Sequence, residues 1–345
     1  MQTQKTMPDH ELAILAYYVS RDRVLSLLNP STLPRGLRAS LNGQDVPMAS
    51  AILSNSLGEY LFPKLGQIDC ETIQQLALSE KLQPGVSFLY NGHFYGKGFG
   101  VANKTPALSL SENLDEPLKG KTLVLNFSKN GLVNDTAYSR LSRSTRLFAY
   151  AYVTEIDDKT IHAVPFIIGD LIFRAKGSLP LSVDHTLALR PNYVDQFASM
   201  DMSWLPSTEE FGRLKEFSEQ VVKQMFCDLL GEIEIPHDWP GEESDIFSAN
   251  LSINGLRHTA AFLLKGPARF HPMTPADCGK RGDQIYRLFN IPADVYIIQH
   301  CHKIGPAIRK TVEAFALQRT FNSPCQYMLL DGSDTARLLR VRGLW

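Results

Sequence analysis

The second half of the chain alternates helix-like and strand-like segments in an order that few folds accept. A helix is predicted over about 208–230, and the strands DIFSANLSI and LRHTAAFLL flank Asn254-Gly255, a pair suited to a tight hairpin turn. The segments that follow are a short helix (GDQIYRLFN), a strand (VYIIQH), a helix (AIRKTVEAFALQ), a strand (QYMLLDG) and a helix (DTARLLR). This order predicts a mixed sheet covered by helices.

The first half has a different character, so two domains are expected from the 345 residues. Apolar spacing predicts a helix over 10–28, and strands dominate from about 87 to 175, with a hairpin turn expected at Asn91-Gly92. The pattern changes around 195–208. We therefore expect a strand-rich α+β N-terminal domain over 1–200 and an α/β domain over 208–345.

Composition excludes some classes of protein and leaves others open. The formal net charge is -1, so no overall basic field indicates nucleic acid, and no apolar run reaches transmembrane length. The N-terminal residues lack the pattern of a signal peptide, so a cytoplasmic protein without a membrane partner is expected. Five widely spaced cysteines argue against a disulfide framework, and His300-Cys301-His302 lacks a partner cluster at zinc-ligand spacing.

The predicted hairpin brings a carboxylate close to a lysine. Asp245 opens its first strand and Lys265 closes its second, so the two ends should meet. A tight turn at Asn254-Gly255 would place Asp245 opposite Leu264, with Lys265 on the other face, unless one strand carries a bulge. Either Glu243 or Glu219 is a candidate second acid, although each also suits a solvated surface.

Charge is unevenly distributed around this hairpin. Residues 209–245 hold eleven acids and three Lys or Arg, whereas residues 257–319 hold ten Lys or Arg and four acids. An acidic site beside a basic strip suits a metal centre next to a phosphate backbone, but an ordinary mixed surface gives the same count. The candidate nucleic-acid-binding residues are Lys280, Arg281, Arg287, Gln284 and Gln299. A second basic and aromatic stretch, over 138–150, suits either single-stranded nucleic acid or a strand edge.

The segment from Gly241 to Asp245, then AAFLLKG, VYIIQH and YMLLDGSDTARLL, resembles the Mrr-like branch of the PD-(D/E)xK nucleases over about 140 residues. The resemblance implies a restriction-endonuclease-like fold. In it Asp245 is similar to the metal-binding aspartate, Lys265 to the catalytic lysine and Asp331-Gly332 to the structural strand end. The family places an acid or Gln two residues before the lysine, where this chain has Leu263.

These observations lead to a metal-dependent nuclease as the expected function. Mg²⁺ or Mn²⁺ would be held by Asp245 with Glu243 or Glu219, and Lys265 would lie near the scissile phosphate. DNA is the expected substrate, and the resemblance implies a role in restriction or phage defence. The alternatives are a catalytically inactive module of the same fold that binds nucleic acid or a protein, and a hydrolase or sensor that acts through the N-terminal half. That half would recognise a substrate, a signal, a partner protein or a second copy.

Overall fold

A computed structural model describes residues 10–43, 48–99, 101, 104–175, 181–182, 186–234, 243–279 and 282–345. These residues form two compact units, one over 10–182 and the other over 186–345. Each unit contains a mixed sheet flanked by helices and has its own hydrophobic core. No helix within the described ranges is long and apolar enough to cross a membrane.

The first unit contains seven strands and six α-helices within the residues described. The strands are β1 (His10–Val19), β2 (Ser87–Lys97), β3 (Ala107–Leu110), β4 (Thr122–Asn126), β5 (Thr145–Ile156), β6 (Thr160–Ala175) and β7 (Leu181–Ser182). The helices are α1 (Arg21–Leu27), α2 (Arg35–Leu41), α3 (Ala49–Ser56), α4 (Gly58–Gln67), α5 (Ile73–Leu78) and α6 (Asp135–Leu141).

Five of these strands close on themselves. The pairing runs from β2 through β3, β4, β6 and β5 and returns to β2, and only the β4–β6 pair is parallel. β6 is the longest strand, and its second half pairs with β1 and β7. Alternate side chains point into the closed barrel, which places Phe88, Leu108 and Leu123 in one apolar core.

Two predictions for this unit are wrong. Residues 10–19 form β1, which pairs with β6, and only Arg21–Leu27 is helical in the predicted 10–28 segment. β2 runs without a turn through Asn91 and Gly92, which pair with Phe148 and Leu147 of β5. A Cβ at Gly92 would lie 2.5 Å from the Tyr90 ring, so this glycine permits close packing.

The second unit follows the predicted order of elements. Its helices are α7 (Thr208–Arg213), α8 (Glu219–Leu230), α9 (Asp283–Asn290), α10 (Pro306–Thr320) and α11 (Gly332–Val341), and its strands are β8 (Ile246–Ile253), β9 (Leu256–Lys265), β10 (Val295–His300) and β11 (Gln326–Leu330). The sheet order is β11-β10-β9-β8, with β8 antiparallel to β9 and the other pairs parallel. The chain is therefore α/β here.

The hairpin of β8 and β9 turns where the sequence predicts. Asn254 and Gly255 both have positive φ, 53° and 77°, as a type I′ turn requires. The carboxylate of Asp195 accepts hydrogen bonds from the backbone N–H groups of both residues, which fixes the turn from outside. Every side chain of β10 is buried, as in a central strand covered on both faces.

The helix predicted over 208–230 is divided. α7 ends in a 3₁₀ turn at Leu214–Glu216, and Ser218 caps a new helix by accepting a hydrogen bond from the backbone N–H of Val221. The restart changes the helical phase, so α8 buries Val222, Met225 and Phe226, and Val221 is exposed. The prediction of one continuous helix over 208–230 is therefore wrong.

Candidate functional site

Asp245 ties the two ends of the β8–β9 hairpin together. Its backbone N–H donates to the carbonyl of Phe262 at 2.8 Å. Its Oδ2 accepts a hydrogen bond from the backbone N–H of Leu264 at 2.5 Å. The side chain that begins one strand thus reaches the backbone that ends the other, next to Lys265.

The bulge that the hairpin needs is present in β8. Near the turn Ile253 pairs with Leu256, and this register would bring Ile246 opposite Leu263. Between Ser248 and Leu251 the register shifts by one residue, so Ile246 pairs with Phe262 instead. The shift brings Asp245 opposite Leu263 instead of Leu264, so its side chain lies on the same face of the hairpin as that of Lys265.

Glu219 approaches the same end of β9 from the first turn of α8. Its Oε2 accepts a hydrogen bond from the backbone N–H of Gly266 at 2.9 Å. A Cβ at Gly266 would lie 2.7 Å from Cβ of Glu219 and 2.9 Å from its backbone nitrogen, so only glycine allows this approach. The carboxylates of Asp245 and Glu219 therefore hold the residues immediately before and after Lys265.

Burial raises the pKa of Asp245 to about 6. The hydrogen bond from Leu264 and the charges of Lys265 and Lys223 lower this pKa, whereas the charge of Glu219 raises it. The charges of Lys265, Lys223 and Glu219 thus lie close enough to Asp245 to influence its ionisation. At neutral pH its carboxylate is mostly ionised, as a metal ligand must be.

Sequence reasoning missed Lys223. This lysine lies one turn after Glu219 on α8, and only 2% of it is exposed. The available signal was its place beside Val222, Met225 and Phe226, on the face that packs against the sheet. A buried lysine is uncommon, and here it adds a second positive charge near Asp245.

Gln299 lies inside the protein and cannot face a phosphate. It is 0% exposed, its Oε1 accepts a hydrogen bond from the backbone N–H of Lys265 at 3.4 Å, and its Nε2 donates to Oγ1 of Thr335 at 3.0 Å. The Thr335 hydroxyl donates to the carbonyl of Asp331, whose side chain caps α11. Gln299 therefore links Lys265 to the start of α11, and the predicted contact with nucleic acid is wrong.

The other predicted residues do not gather at this site. Glu243 is exposed and has no recorded contact with Asp245. Arg287 pairs with Asp283 on α9 at 3.2 Å, and Gln284 lies on the same helix with a buried Oε1 that has no hydrogen-bond partner among the described residues. Lys280 and Arg281 lie outside the residues described. The predicted basic strip therefore stays a prediction.

The described residues contain no group of three His, Cys, Asp or Glu side chains placed to hold a metal ion. His300 is buried, and its Nδ1 accepts a hydrogen bond from the backbone N–H of His302. The ring of His302 packs edge-on against Phe211 and Phe270.

Asp245 and Glu219 offer two carboxylates, and Mg²⁺ is often held by one or two carboxylates together with waters. Each carboxylate has one oxygen that makes no hydrogen bond to a described residue.

No protein-family model, curated protein or solved structure matches this chain.

Proposed function

We propose that the second unit is a metal-dependent nuclease of the restriction-endonuclease-like fold. One observation carries the proposal: Asp245 and Glu219 each hold a backbone N–H that flanks Lys265, so two carboxylates and an ammonium-bearing residue meet at the end of β9. Hydrolysis of a phosphodiester needs carboxylates for a hard cation and benefits from a positive charge near the phosphate.

In the proposed site Glu219 replaces the acid that the nuclease resemblance places at position 263. Leu263 is only 3% exposed and cannot bind a cation. Glu219 comes from a different element, but its carboxylate lies against Gly266, one residue beyond Lys265. We therefore assign the second metal ligand to Glu219 rather than to the exposed Glu243.

The residues present would divide the chemistry among them. Asp245 and Glu219 would hold Mg²⁺ or Mn²⁺, which supplies activation of water and neutralises phosphate charge when bound. Lys265 would place its ammonium near a non-bridging phosphate oxygen. Gln299 positions Lys265 by accepting from its backbone N–H. The resemblance favours DNA as the substrate and restriction or phage defence as the setting.

The test is a cleavage assay on plasmid DNA, linear DNA and RNA with Mg²⁺ or Mn²⁺. We expect Asp245→Asn, Glu219→Gln and Lys265→Met each to lower the rate by about a hundredfold or more, as the loss of a main electrostatic group commonly does. Glu243→Gln is the matched control and should cleave at the wild-type rate. Cleavage that is equally fast in all four variants would place the active site elsewhere.

A specific observation favours a second candidate, an inactive binding module of the same fold. The charges of Lys223 and Lys265 already balance those of Asp245 and Glu219, so the site is electrically neutral without a metal. Titration calorimetry with Mn²⁺ separates the two candidates. Absence of both metal binding and cleavage in the wild-type protein supports the inactive module and rejects the nuclease.

A further inference from the structure

The barrel of the first unit is covered on one side and open on the other. On β5 the outward side chains of Phe148 and Tyr150 are buried, Phe148 against Phe62 of α4 and Tyr150 against Phe166 of β6. The second half of β2 and strand β4 show the opposite pattern, whereas the outward Ser109 of β3 is buried. Their outward residues include exposed positions on β2 and half-buried positions on β4.

The open side carries one aromatic platform. Tyr95 projects outward from β2 and is 36% exposed. It pairs with Ser109 of β3, which in turn pairs with Val124 of β4. The ammonium of Lys97 lies 4.9 Å from the centre of the Tyr95 ring. This ammonium lies over one face of the ring, so a planar ligand would reach the part of Tyr95 that stays exposed.

Four exposed cations lie at the end of the barrel where β2 and β4 finish. They are Lys97, Lys104, Lys129 and Arg143. Ala107 of β3 pairs with Lys97 of β2 on one side and with Asn126 of β4 on the other. Lys129 follows Asn126 by three residues. The Cβ atom of Lys104 lies 3.5 Å from the position that a Cβ on Gly98 would take.

Arg143 reaches the same end of the barrel through α6, but on the inner side of β2. It follows Ser142, whose Cα lies 2.8 Å from the position that a Cβ on Gly96 would take, and Gly96 pairs with the core residue Leu108. None of the four cations makes an ion pair with a described acidic residue. We name Tyr95 together with Lys97, Lys104 and Lys129 the basic barrel face.

We propose that the basic barrel face binds single-stranded nucleic acid. Unpaired cations attract phosphates, and an exposed aromatic ring stacks on an unpaired base, which a duplex does not present. An acidic protein would complement the charge, but it would not use the ring in this way. The proposal is independent of the nuclease assignment, because it concerns the other unit and different residues.

The connectivity of the barrel agrees with this proposal. Its strands follow the order β2-β3-β4-β6-β5, with α6 between β4 and β5, as in a five-stranded barrel of the oligonucleotide- and oligosaccharide-binding (OB) type. In such barrels the face of the second and third strands binds the ligand, and here these strands are β3 and β4. Because a fold alone does not fix a function, the proposal depends on the side chains above.

The experiment measures binding of the full chain to a fluorescent single-stranded oligonucleotide by anisotropy over a range of salt concentrations. We expect Lys97→Ala/Lys104→Ala/Lys129→Ala to raise Kd about tenfold or more at low salt. The slope of log K against log[salt] should also fall by about 2, since each phosphate contact to a single strand contributes about 0.7. Tyr95→Ala should weaken binding with little change in this slope.

A matched triple variant controls for loss of positive charge. Lys81→Ala/Lys119→Ala/Lys159→Ala removes three exposed lysines of the same unit away from the basic barrel face and should bind as the wild type does. Equal weakening by both triple variants overturns the proposal, and so does tighter binding of a duplex than of the single strand. Binding that persists when cleavage by the second unit is absent still supports this inference while rejecting the nuclease.

Discussion

Asp245 keeps a charge in a half-buried position, because a hydrogen bond from Leu264 and two nearby lysines offset part of the cost of burial. The offset is incomplete, since the pKa remains raised, at about 6. A carboxylate that destabilises the fold at neutral pH is typical of residues kept for function.

The cost of this charge gives a prediction for Asp245→Asn. At a pH below the ordinary aspartate pKa, the carboxyl of Asp245 is neutral in both the folded and the unfolded states. It then leaves the free energy of unfolding unchanged. As the pH rises towards 6 it ionises first in the unfolded state, and wild-type stability falls by up to about 3 kcal/mol. The stability of Asp245→Asn relative to wild type should therefore rise by about 2 kcal/mol between about pH 4.5 and about pH 7.5.

Urea denaturation of both proteins at the two pH values measures this difference. Other titrating groups affect both proteins equally and cancel. Asp201→Asn is a suitable control, because Asp201 is on the surface and its own pKa is lowered rather than raised. A relative stability that stays constant with pH, or falls, would show that Asp245 is ionised in the fold without cost.

At the scale of elements, the contact between α8 and the end of β9 builds the candidate site. Gly266→Ala should push Glu219 away and break its hydrogen bond to residue 266, because the added Cβ would lie within 3.0 Å of three Glu219 atoms. We expect a loss of about 1–3 kcal/mol in the free energy of unfolding, as overpacking usually costs. Chemical denaturation measures it.

Gly212→Ala provides the matched control for that substitution. Gly212 lies within α7, and a Cβ there meets nothing within 4 Å. Alanine favours a helix over glycine by up to about 1 kcal/mol, so this variant should be as stable as the wild type or more stable. If both glycine variants lost stability alike, close packing at Gly266 would not be the cause.

Elements whose patterns are local are the ones that the sequence predicts. The β8–β9 turn follows from Asn254-Gly255, and α9 to α11 follow from apolar spacing and caps. The apolar residues of β1 fit a helical period as well as a strand period, and pairing with the distant β6 decides between them. Asn91-Gly92 has the composition of a turn, but pairing of β2 with β5 keeps both residues in an extended strand.

In the candidate site, too, local sequence patterns predict some features and tertiary packing decides the others. Hairpin geometry alone predicts that Asp245 and Lys265 lie together, provided that one strand carries a bulge, and β8 carries it. Glu219 was one of two alternatives, because nothing local in the sequence decides which acid reaches Gly266. The burial of Lys223 and Gln299 depends on packing between α8, β10 and α11, which the sequence pattern did not reveal.

At the scale of the whole molecule, the two units have separate cores. The first is built from the barrel strands and the second from the sheet β8–β11 with its helices. Separate cores allow separate melting, so calorimetry should show more than one transition. Gly96→Ala should lower the Tm of one transition, because its Cβ would lie 2.4 Å from the carbonyl oxygen of Leu141.

Gly266→Ala should lower the Tm of the other transition and leave the first in place. The double variant would then show both shifts together, since distant substitutions usually add. A single transition that both substitutions move equally would contradict independent melting and indicate that the units unfold as one.

The bulge between Ser248 and Leu251 has a consequence for how this chain can change over evolutionary time. Loss of one residue there would remove the extra residue of β8 and leave Ile246 opposite Phe262, so Asp245 would stay beside Lys265. Loss of one residue between this bulge and Asp245 would instead shift Asp245 by one position and turn its side chain to the other face of the hairpin. Among descendants that keep the site, single-residue deletions in this hairpin should therefore fall at the bulge.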